Sequence, residues 1–282
     1  MFLSIITINR NNVVGLERTL QSVFTQTVID FEFVVVDGAS TDGSVGVIKH
    51  YSELFGSRMK WISEPDRGIY NAMNKGIRMS SGDYLVFLNS GDSLASETVV
   101  SKMCRTLEEY HYPSILYGNM LKEMPGKKVL RDKSFAGQEI SLLGLYTGSL
   151  NHSSAFIKRV LFDVYGFYDE SLKIVSDWKW FLEAIVFGHE KPIYVDIDVT
   201  LFDMHGISVT NKELDEAERK DVLTAKVPST ILVDYDRWFQ SINQMKRLKR
   251  HPWAYRIVWF LERCLFKQEK FERKLKGETW VS

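Results

Sequence analysis

This chain of 282 residues predicts an α/β fold with a mostly parallel central sheet flanked by helices. Three observations predict it. Several apolar runs have strand length and are continuous rather than alternating, as in strands buried on both faces. Most of them lead into a stretch with helical spacing of apolar residues. The composition is that of an ordinary globular chain, 45% hydrophobic and 26% charged, at a length able to bury a sizeable core.

The elements can be taken in order. "LSIITIN" (3–9) is β-rich and apolar, and Val14, Leu16, Leu20 and Val23 then recur at helical spacing. "FEFVVVDGAS" (31–40) predicts a second buried strand and "DGSVGVIKHYSELF" the helix after it. "MKWISEP" predicts a third strand, "GIYNAMNKGIRMS" a helix, "DYLVFLN" a fourth strand and "SILYGNM" a fifth. Residues 121–150 are mixed, with Lys127, Lys128, Arg131 and Lys133 around a turn at Pro125-Gly126, and predict a loop or hairpin. "HSSAFIKRVLFDVYGFYDESL" predicts a strand, a short helix and a turn; "SDWKWFLEAIVFG" a helix; "IYVDIDVTLFDM" a strand; and 211–225 a helix. Pro228 and a basic, aromatic helical extension follow. The expected organisation is a first half over 1–120, a second half of the same domain over 121–225, and a tail over 226–282.

Charge and cysteine usage bound the function. Lys+Arg and Asp+Glu balance at 36 each, so the global electrostatic footprint of a nucleic-acid partner is absent. Cys104 and Cys264 lack metal-ligand spacing, which fits a reducing, cytoplasmic setting. "MFLSIITINRNN" reads as no secretory leader, and no apolar run reaches the ~18 residues of a membrane span.

In parallel α/β sheets, ligands bind beyond the carboxyl ends of the strands. Here those ends carry Thr7 and Asn9-Arg10, then Asp37 with Gly38, Ser40 and Asp42, then Glu64-Pro65-Asp66-Arg67, then Asn89-Ser90-Gly91-Asp92. Any one of these is explained by a cap or turn. Four consecutive strand ends with acid or amide groups point to a shared ligand site. A dinucleotide-dependent dehydrogenase is excluded, because "TINRNNVVG" lacks the Gly-x-Gly-x-x-Gly turn.

Through "SIITINRNN", "VVVDGASTDGS", "SEPDRGIYNAMNKGI" and "YLVFLNSGDSL", the first ~120 residues resemble the inverting glycosyltransferases of family 2, with their GT-A nucleotide-diphospho-sugar fold. The similarity is greatest to enzymes of bacterial colanic acid, exopolysaccharide and lipopolysaccharide biosynthesis. The resemblance implies a nucleotide-sugar donor, UDP favoured, a glycan or lipid-linked acceptor, and Mn2+ or Mg2+ as cofactor. It places Thr7, Asn9, Asp37, Asp66, Arg67 and Asn89 around the nucleotide. Asp37 suits a uracil imide N–H, and Arg67 a phosphate or a surface ion pair. Asp92 stands for the family's metal-binding acid, although "NSGD" replaces an Asp-x-Asp element, and a plain turn is the competing reading. His205 in "FDMHGISVT" is a looser candidate for metal or phosphate.

The resemblance also implies a catalytic carboxylate on the helix opening "SDW", hence Asp177 as general base; Asp169 is its rival, read as organising a loop. His152 is read as packing, or as a wall of the acceptor cavity. The basic stretch 244–277 holds eleven Lys/Arg against three Glu, interleaved with Trp253, Tyr255, Trp259 and Phe260. It fits a helix on the inner face of the membrane or one packed on a protein surface. A nucleotide-sugar-binding scaffold without turnover is the alternative function, motivated by Asn89 standing where an acid is expected.

Overall fold

A computed structural model describes residues 2–124, 128–206 and 210–275. The turn expected at Pro125-Gly126, residues 207–209 after His205, and 276–282 of the tail lie outside the described residues. The chain divides into two compact units, Met1–Val222 and Leu223–Ser282.

The first unit opens with β1 (Leu3–Asn9), α1 (Val13–Phe24), β2 (Phe31–Asp37), α2 (Ser44–Phe55), β3 (Met59–Ser63), α3 (Ile69–Met79) and β4 (Tyr84–Phe87). Every residue of β1, β2 and β4 is buried, which is why these strands read as continuous apolar runs rather than alternating ones. α1 buries Leu16, Thr19, Leu20 and Val23, one stripe of its surface, onto the core beneath β1 and β2. β1 pairs in parallel with β2 and β4, and β2 with β3. The chain therefore leaves β1 toward β3 on one side and returns as β4 on the other. This makes β1/β4 the switch point, where a crevice opens beyond the strand ends.

The expectation of a mostly parallel sheet holds for this half and is corrected beyond it. Next come β5 (Ser93–Leu94), α4 (Val99–Glu109), β6 (Ile115–Met124), β7 (Lys128–Asp132), α5 (Leu142–Thr147), β8 (Ala155–Lys158), α6 (Val160–Tyr165), α7 (Ser176–Phe181) and β9 (Ile193–Phe202). The sheet runs β3-β2-β1-β4-β8-β6-β9-β5, with β7 on β6. β8 is antiparallel to both β4 and β6, β7 to β6 and β5 to β9, whereas β6 and β9 are parallel. Short links such as β6–β7 suffice for antiparallel pairs, which need no crossover helix. β5 and α4 lie in a stretch for which the sequence reading names no element, although Val99, Val100, Met103 and Leu107 recur at helical spacing on the buried face of α4. The helix predicted from "SDWKWFLEAIVFG" is α-helical only to Phe181 and continues as a π-helix over Leu182–Phe187, a distortion frequent beside functional sites.

α8 (Lys212–Lys226) spans the unit boundary. The second unit contains α9 (Ser229–Lys249) and α10 (Pro252–Leu275), with Trp253, Trp259 and Phe260 exposed on α10. No helix of the described residues is long and apolar enough to cross a membrane.

Candidate active site

The first wall of the crevice is built from hydrogen bonds between strand ends. Thr7 Oγ1 donates to the Leu88 carbonyl at 2.6 Å, tying β1 to the segment after β4. Asn12, which caps α1, donates to the Ser90 carbonyl at 3.1 Å. Asp37, fully buried, accepts four bonds: Asn9 Nδ2 at 2.8 Å and Ser40 Oγ at 2.6 Å on one oxygen, and the Ser40 amide at 2.9 Å and Ser63 Oγ at 2.6 Å on the other. Burial raises its carboxyl pKa, but these donors outweigh it and hold Asp37 below the ordinary range. Asn9 Oδ1 remains buried without a hydrogen-bond partner.

Asp66 completes this wall. A Cβ on Gly38 would collide with Asp66 Oδ2, so the glycine leaves the space this carboxylate fills. Asp66 Oδ1 accepts from the Gly68 amide at 3.0 Å and stands 3.8 Å from Arg10. The Asp66 side chain is only 5% exposed. Arg67 is turned elsewhere: its guanidinium pairs with Glu170 at 2.8 Å and is largely exposed.

Opposite lies the loop 89–92. Gly91 adopts φ 110°, and a side chain there would strike the Asp203 carboxylate. Arg18 of α1 clamps the loop, donating to the Gly91 carbonyl and facing Asp203 at 3.6 Å. Thr19 donates to the Asp92 carbonyl at 2.6 Å. The Asp92 side chain is treated differently from Asp37. It is buried, and among the described residues its hydrogen-bond donor is the Asp203 amide, at 2.8 Å. Burial therefore dominates and pushes its carboxyl up to about 7. Asn89 Oδ1 is likewise buried without a partner. His205 is exposed and bonds Asp203 through Nδ1 at 2.7 Å; the fold does not turn it onto Asp92.

The third part comes from the mixed half of the sheet. Asp177 sits in the first turn of α7, whose entry is held by Glu218, accepting from the amides of Lys173 at 2.7 Å and Ile174 at 2.9 Å. Trp178 Nε1 donates to the Leu145 carbonyl and Trp180 Nε1 to that of Gly166, both at 2.9 Å, so the two aromatics pin the helix. The Asp177 carboxylate meets His152 Nδ1 at 2.8 Å through Oδ2 and the Tyr70 hydroxyl at 2.9 Å through Oδ1. Burial raises Asp177, but the charge and hydrogen bond of His152 and the Tyr70 bond bring it below its ordinary value. Burial works to lower His152, yet Asp177 and Asp92 together raise it. That mutual influence puts Asp92, Asp177 and His152 in one electrostatic neighbourhood. Asp169 is engaged elsewhere, with Lys179 at 2.7 Å and Ser171 Oγ at 2.6 Å.

Thr7, Asn9, Asp37, Asp66, Asn89 and Asp92 thus gather at and just beyond the carboxyl ends of β1 to β4, with Asp177 in the neighbourhood of Asp92, while Arg67 and His205 point to other partners. Arg18, Tyr70 and Asp203 escape a reading of the sequence. Asp203 carried the same signal as the other acids, a carboxylate at a strand end, but on a strand whose neighbours the sequence does not reveal.

Among the described residues, no three His, Cys, Asp or Glu side chains converge as a ready-made metal cage. The donor set nevertheless suits a hard divalent cation completed by ligand oxygens. Asp92 is a buried carboxylate short of compensating donors, and Asp203 stands beside it.

The sequence model of Glycosyl transferase family 2 matches residues 4–164. A PGL/p-HBAD biosynthesis glycosyltransferase of Mycobacterium tuberculosis is 25% identical over 245 residues, 86% of this chain and 92% of the relative. A second M. tuberculosis glycosyltransferase is 31% identical over 212 residues, 72% of this chain and 76% of its own length. Among solved structures, S. aureus TarS 1-349 with UDP-GlcNAc superposes at TM-score 0.61 and 20% identity, covering 75% of this chain and 61% of that one. The mannosyltransferase PcManGT of Pyrobaculum calidifontis, with GDP-Man and Mn2+, does so at TM-score 0.61 and 16% identity, covering 90% and 71%. These likenesses establish the GT-A fold.

Proposed function

The chain belongs to glycosyltransferase family 2, and from that premise we propose that it moves a sugar, with inversion, from a nucleotide-diphosphate donor to a glycan or lipid-linked acceptor of a bacterial surface polysaccharide. The observation that carries this reading is the gathering of acid and amide side chains at the β1/β4 switch point, Asn9, Asp37 and Asp66 beyond β1–β3 and Asn89 and Asp92 beyond β4. Residues 1–120 hold the donor, 121–225 shape the acceptor side, and 226–282 form the tail.

Asp37 spends its acceptor capacity on Asn9, Ser40 and Ser63, and so fixes the wall of the base pocket. Asp66, held over Gly38, offers the carboxylate with capacity left for an imide N–H, which favours UDP. The orphaned amide oxygens of Asn9 and Asn89 fit hydroxyls of the nucleotide. Asp92, with Asp203 beside it, would hold Mn2+ or Mg2+, whose chemistry is to neutralise charge on the departing diphosphate. On the acceptor side, Asp177, held by His152 and Tyr70, takes the proton of the attacking hydroxyl, which makes that oxygen a nucleophile as the sugar–phosphate bond opens. Similarity to a PGL/p-HBAD biosynthesis glycosyltransferase supports an acceptor of glycoconjugate type. The basic, aromatic α10 suits an anionic headgroup layer, a peripheral contact that liposome co-sedimentation with and without residues 246–282 tests.

The deciding experiment is a panel of nucleotide sugars, assayed for thermal stabilisation and then for transfer, with and without Mn2+. A UDP-sugar that both stabilises the chain and is turned over supports the reading. Stabilisation without turnover supports the scaffold alternative, and neither effect with any donor refutes the assignment.

A further inference from the structure

α7 carries Asp177 in its first turn, yet it starts without a cap of its own. Val175 stands at the N-cap position, where a valine has no acceptor to offer the first turn. The amides ahead of the helix are taken instead by Glu218 of α8. Its Oε1 accepts from the Lys173 amide at 2.7 Å, and its Oε2 from those of Ile174 at 2.9 Å and Val175 at 3.3 Å. A carboxylate has lone pairs for all three, and its charge makes such bonds stronger than neutral ones. Arg219, the next residue, reaches two further segments. Its guanidinium lies over the Trp178 ring, 4.6 Å from the centroid, donates to the Gly148 carbonyl at 3.1 Å and is steadied by Asp215 at 2.9 Å. Trp178 follows Asp177, and Gly148 leads into the segment that carries His152. The 2.8 Å contact between His152 and Asp177 joins these two segments, and α8 is fastened to both.

Resting on Asp177 as the base of the proposed transfer, we propose that Glu218 and Arg219 are its positioning residues. Glu218 acts through the backbone at 173–175, and Arg219 through Trp178 and the Gly148 carbonyl. Ile174 shows the link most directly. Its amide donates to Glu218, its carbonyl accepts from the Tyr70 hydroxyl, and the same hydroxyl lies 2.9 Å from Asp177 Oδ1. A shift of this backbone is therefore passed to the base by two routes, along α7 and through Tyr70. A general base works only where its oxygen reaches the reacting hydroxyl, and a misplacement of about 1 Å costs on the order of 10²-fold. α8 thereby fastens the base from a part of the chain far from it in sequence.

Transfer kinetics on the full chain test this, each variant being assayed well below its own melting temperature. Glu218→Gln keeps the size of the side chain but leaves one oxygen as acceptor and turns an NH2 toward a backbone amide. It is expected to lower kcat by about 10- to 100-fold, with KM for the UDP-sugar and thermal stabilisation by UDP and Mn2+ as in wild type. Glu218→Asp, which keeps the charge, is expected to recover part of that loss. In an Asp177→Asn background, Glu218→Gln is expected to leave the residual rate within about twofold, because the group it positions is already gone. A purely structural defect would carry over into that background undiminished. Should Glu218→Gln not stay folded, Arg219→Lys takes its place in both backgrounds: it keeps the charge, loses the planar guanidinium over Trp178, and is expected to lower kcat about tenfold. A wild type that transfers sugar while the variant works within about threefold of it overturns this assignment alone, as does an equal loss with and without Asp177. An Asp177→Asn chain with wild-type turnover removes the base, and a wild type that turns over no sugar nucleotide removes the transferase reading; either result takes this assignment with it.

Discussion

Asp37 and Asp92 lie on two sides of one crevice, both buried, and the protein treats them in opposite ways. Asp37, in the parallel half, receives four hydrogen bonds and is held ionised below its ordinary range. Asp92, where the parallel half meets the mixed half, receives one backbone amide and is pushed up to about 7. Asn89 Oδ1 and His152 Nε2, on the same side as Asp92, are also unpartnered. A saturated carboxylate is already at its minimum and serves as scaffold. An undersaturated one is held at a cost by the surrounding fold and gains when charge or donors arrive. The Asp37 carboxylate is therefore a preformed part of its wall, with only the neighbouring Asn9 Oδ1 left unpartnered, whereas on the facing side the Asp92 carboxylate is itself incomplete.

The largest effect that sharpens this contrast is on turnover. Asp92→Ala is expected to lower kcat by on the order of 10³-fold, since one well-placed electrostatic group at a developing charge carries that much. Its melting temperature should be unchanged or higher, because a buried and poorly compensated carboxylate has gone. Steady-state transfer and a thermal melt on the same preparation check both halves. A variant that melts lower and keeps its activity would reverse the roles assigned to the two acids.

Asp37→Asn should do the converse in stability. Replacing one acceptor oxygen by an NH2 donor leaves the Asn9 amide or the Ser40 backbone N–H facing a donor, since the serine hydroxyls can turn to accept, at about 3 kcal/mol. For a unit of this size that is roughly 6–10 °C in melting temperature. Donor affinity should fall as a consequence, since Asn9 and Ser40 lose their anchor. Calorimetry that finds no destabilisation would show that the four bonds to Asp37 do not hold the wall.

How far the sequence foretold this depends on which half of the sheet is considered. β1, β2 and β4 are buried on both faces, so their strand ends could be read directly from where the apolar runs stop, and with them Asn9, Asp37 and Asn89-Asp92. The mixed half has no such regularity. β9 is buried only at Val195, Val199 and Thr200, with no regular alternation, and it pairs with β6 through register shifts. The contacts that complete the site also join distant residues. Asp203 reaches Asp92 across 111 positions and Tyr70 reaches Asp177 across 107, and periodicity says nothing about such pairings. His152 was open to misreading for the same reason: a lone histidine ahead of a strand gains meaning only once α7 brings Asp177 to it. Arg67 shows the limit in the other direction. Its position suggested phosphate, but Glu170, held by Asn71 and Asn74 of α3, takes its guanidinium.

The smallest predicted effect comes from a second saturated carboxylate on the same strand as Asp37, at the end away from the crevice. Glu32 accepts from Ser4 Oγ at 2.5 Å, Lys60 Nζ at 2.7 Å, Ser81 Oγ at 2.9 Å and the Gly82 amide at 3.1 Å. Burial raises its carboxyl, but Lys60, Ser4 and Ser81 lower it more, from 4.5 to about 2. Because the folded value is depressed, the unfolded chain binds the proton more readily between those limits, and stability rises with pH across them. The contribution is on the order of 2 kcal/mol near neutral pH, discounted because its ion-pair partner Lys60 is half-exposed, and fades as pH falls from about 5 toward 2. Chemical unfolding of wild type and Glu32→Gln at pH 7 and again near pH 3 measures it. The wild-type advantage should be largest at pH 7 and shrink toward pH 3, with no change in transfer beyond that due to stability. Parallel stability curves for the two chains would mean that Glu32 gains nothing from its partners. In that case hydrogen-bond saturation would not separate structural from functional acids in this fold.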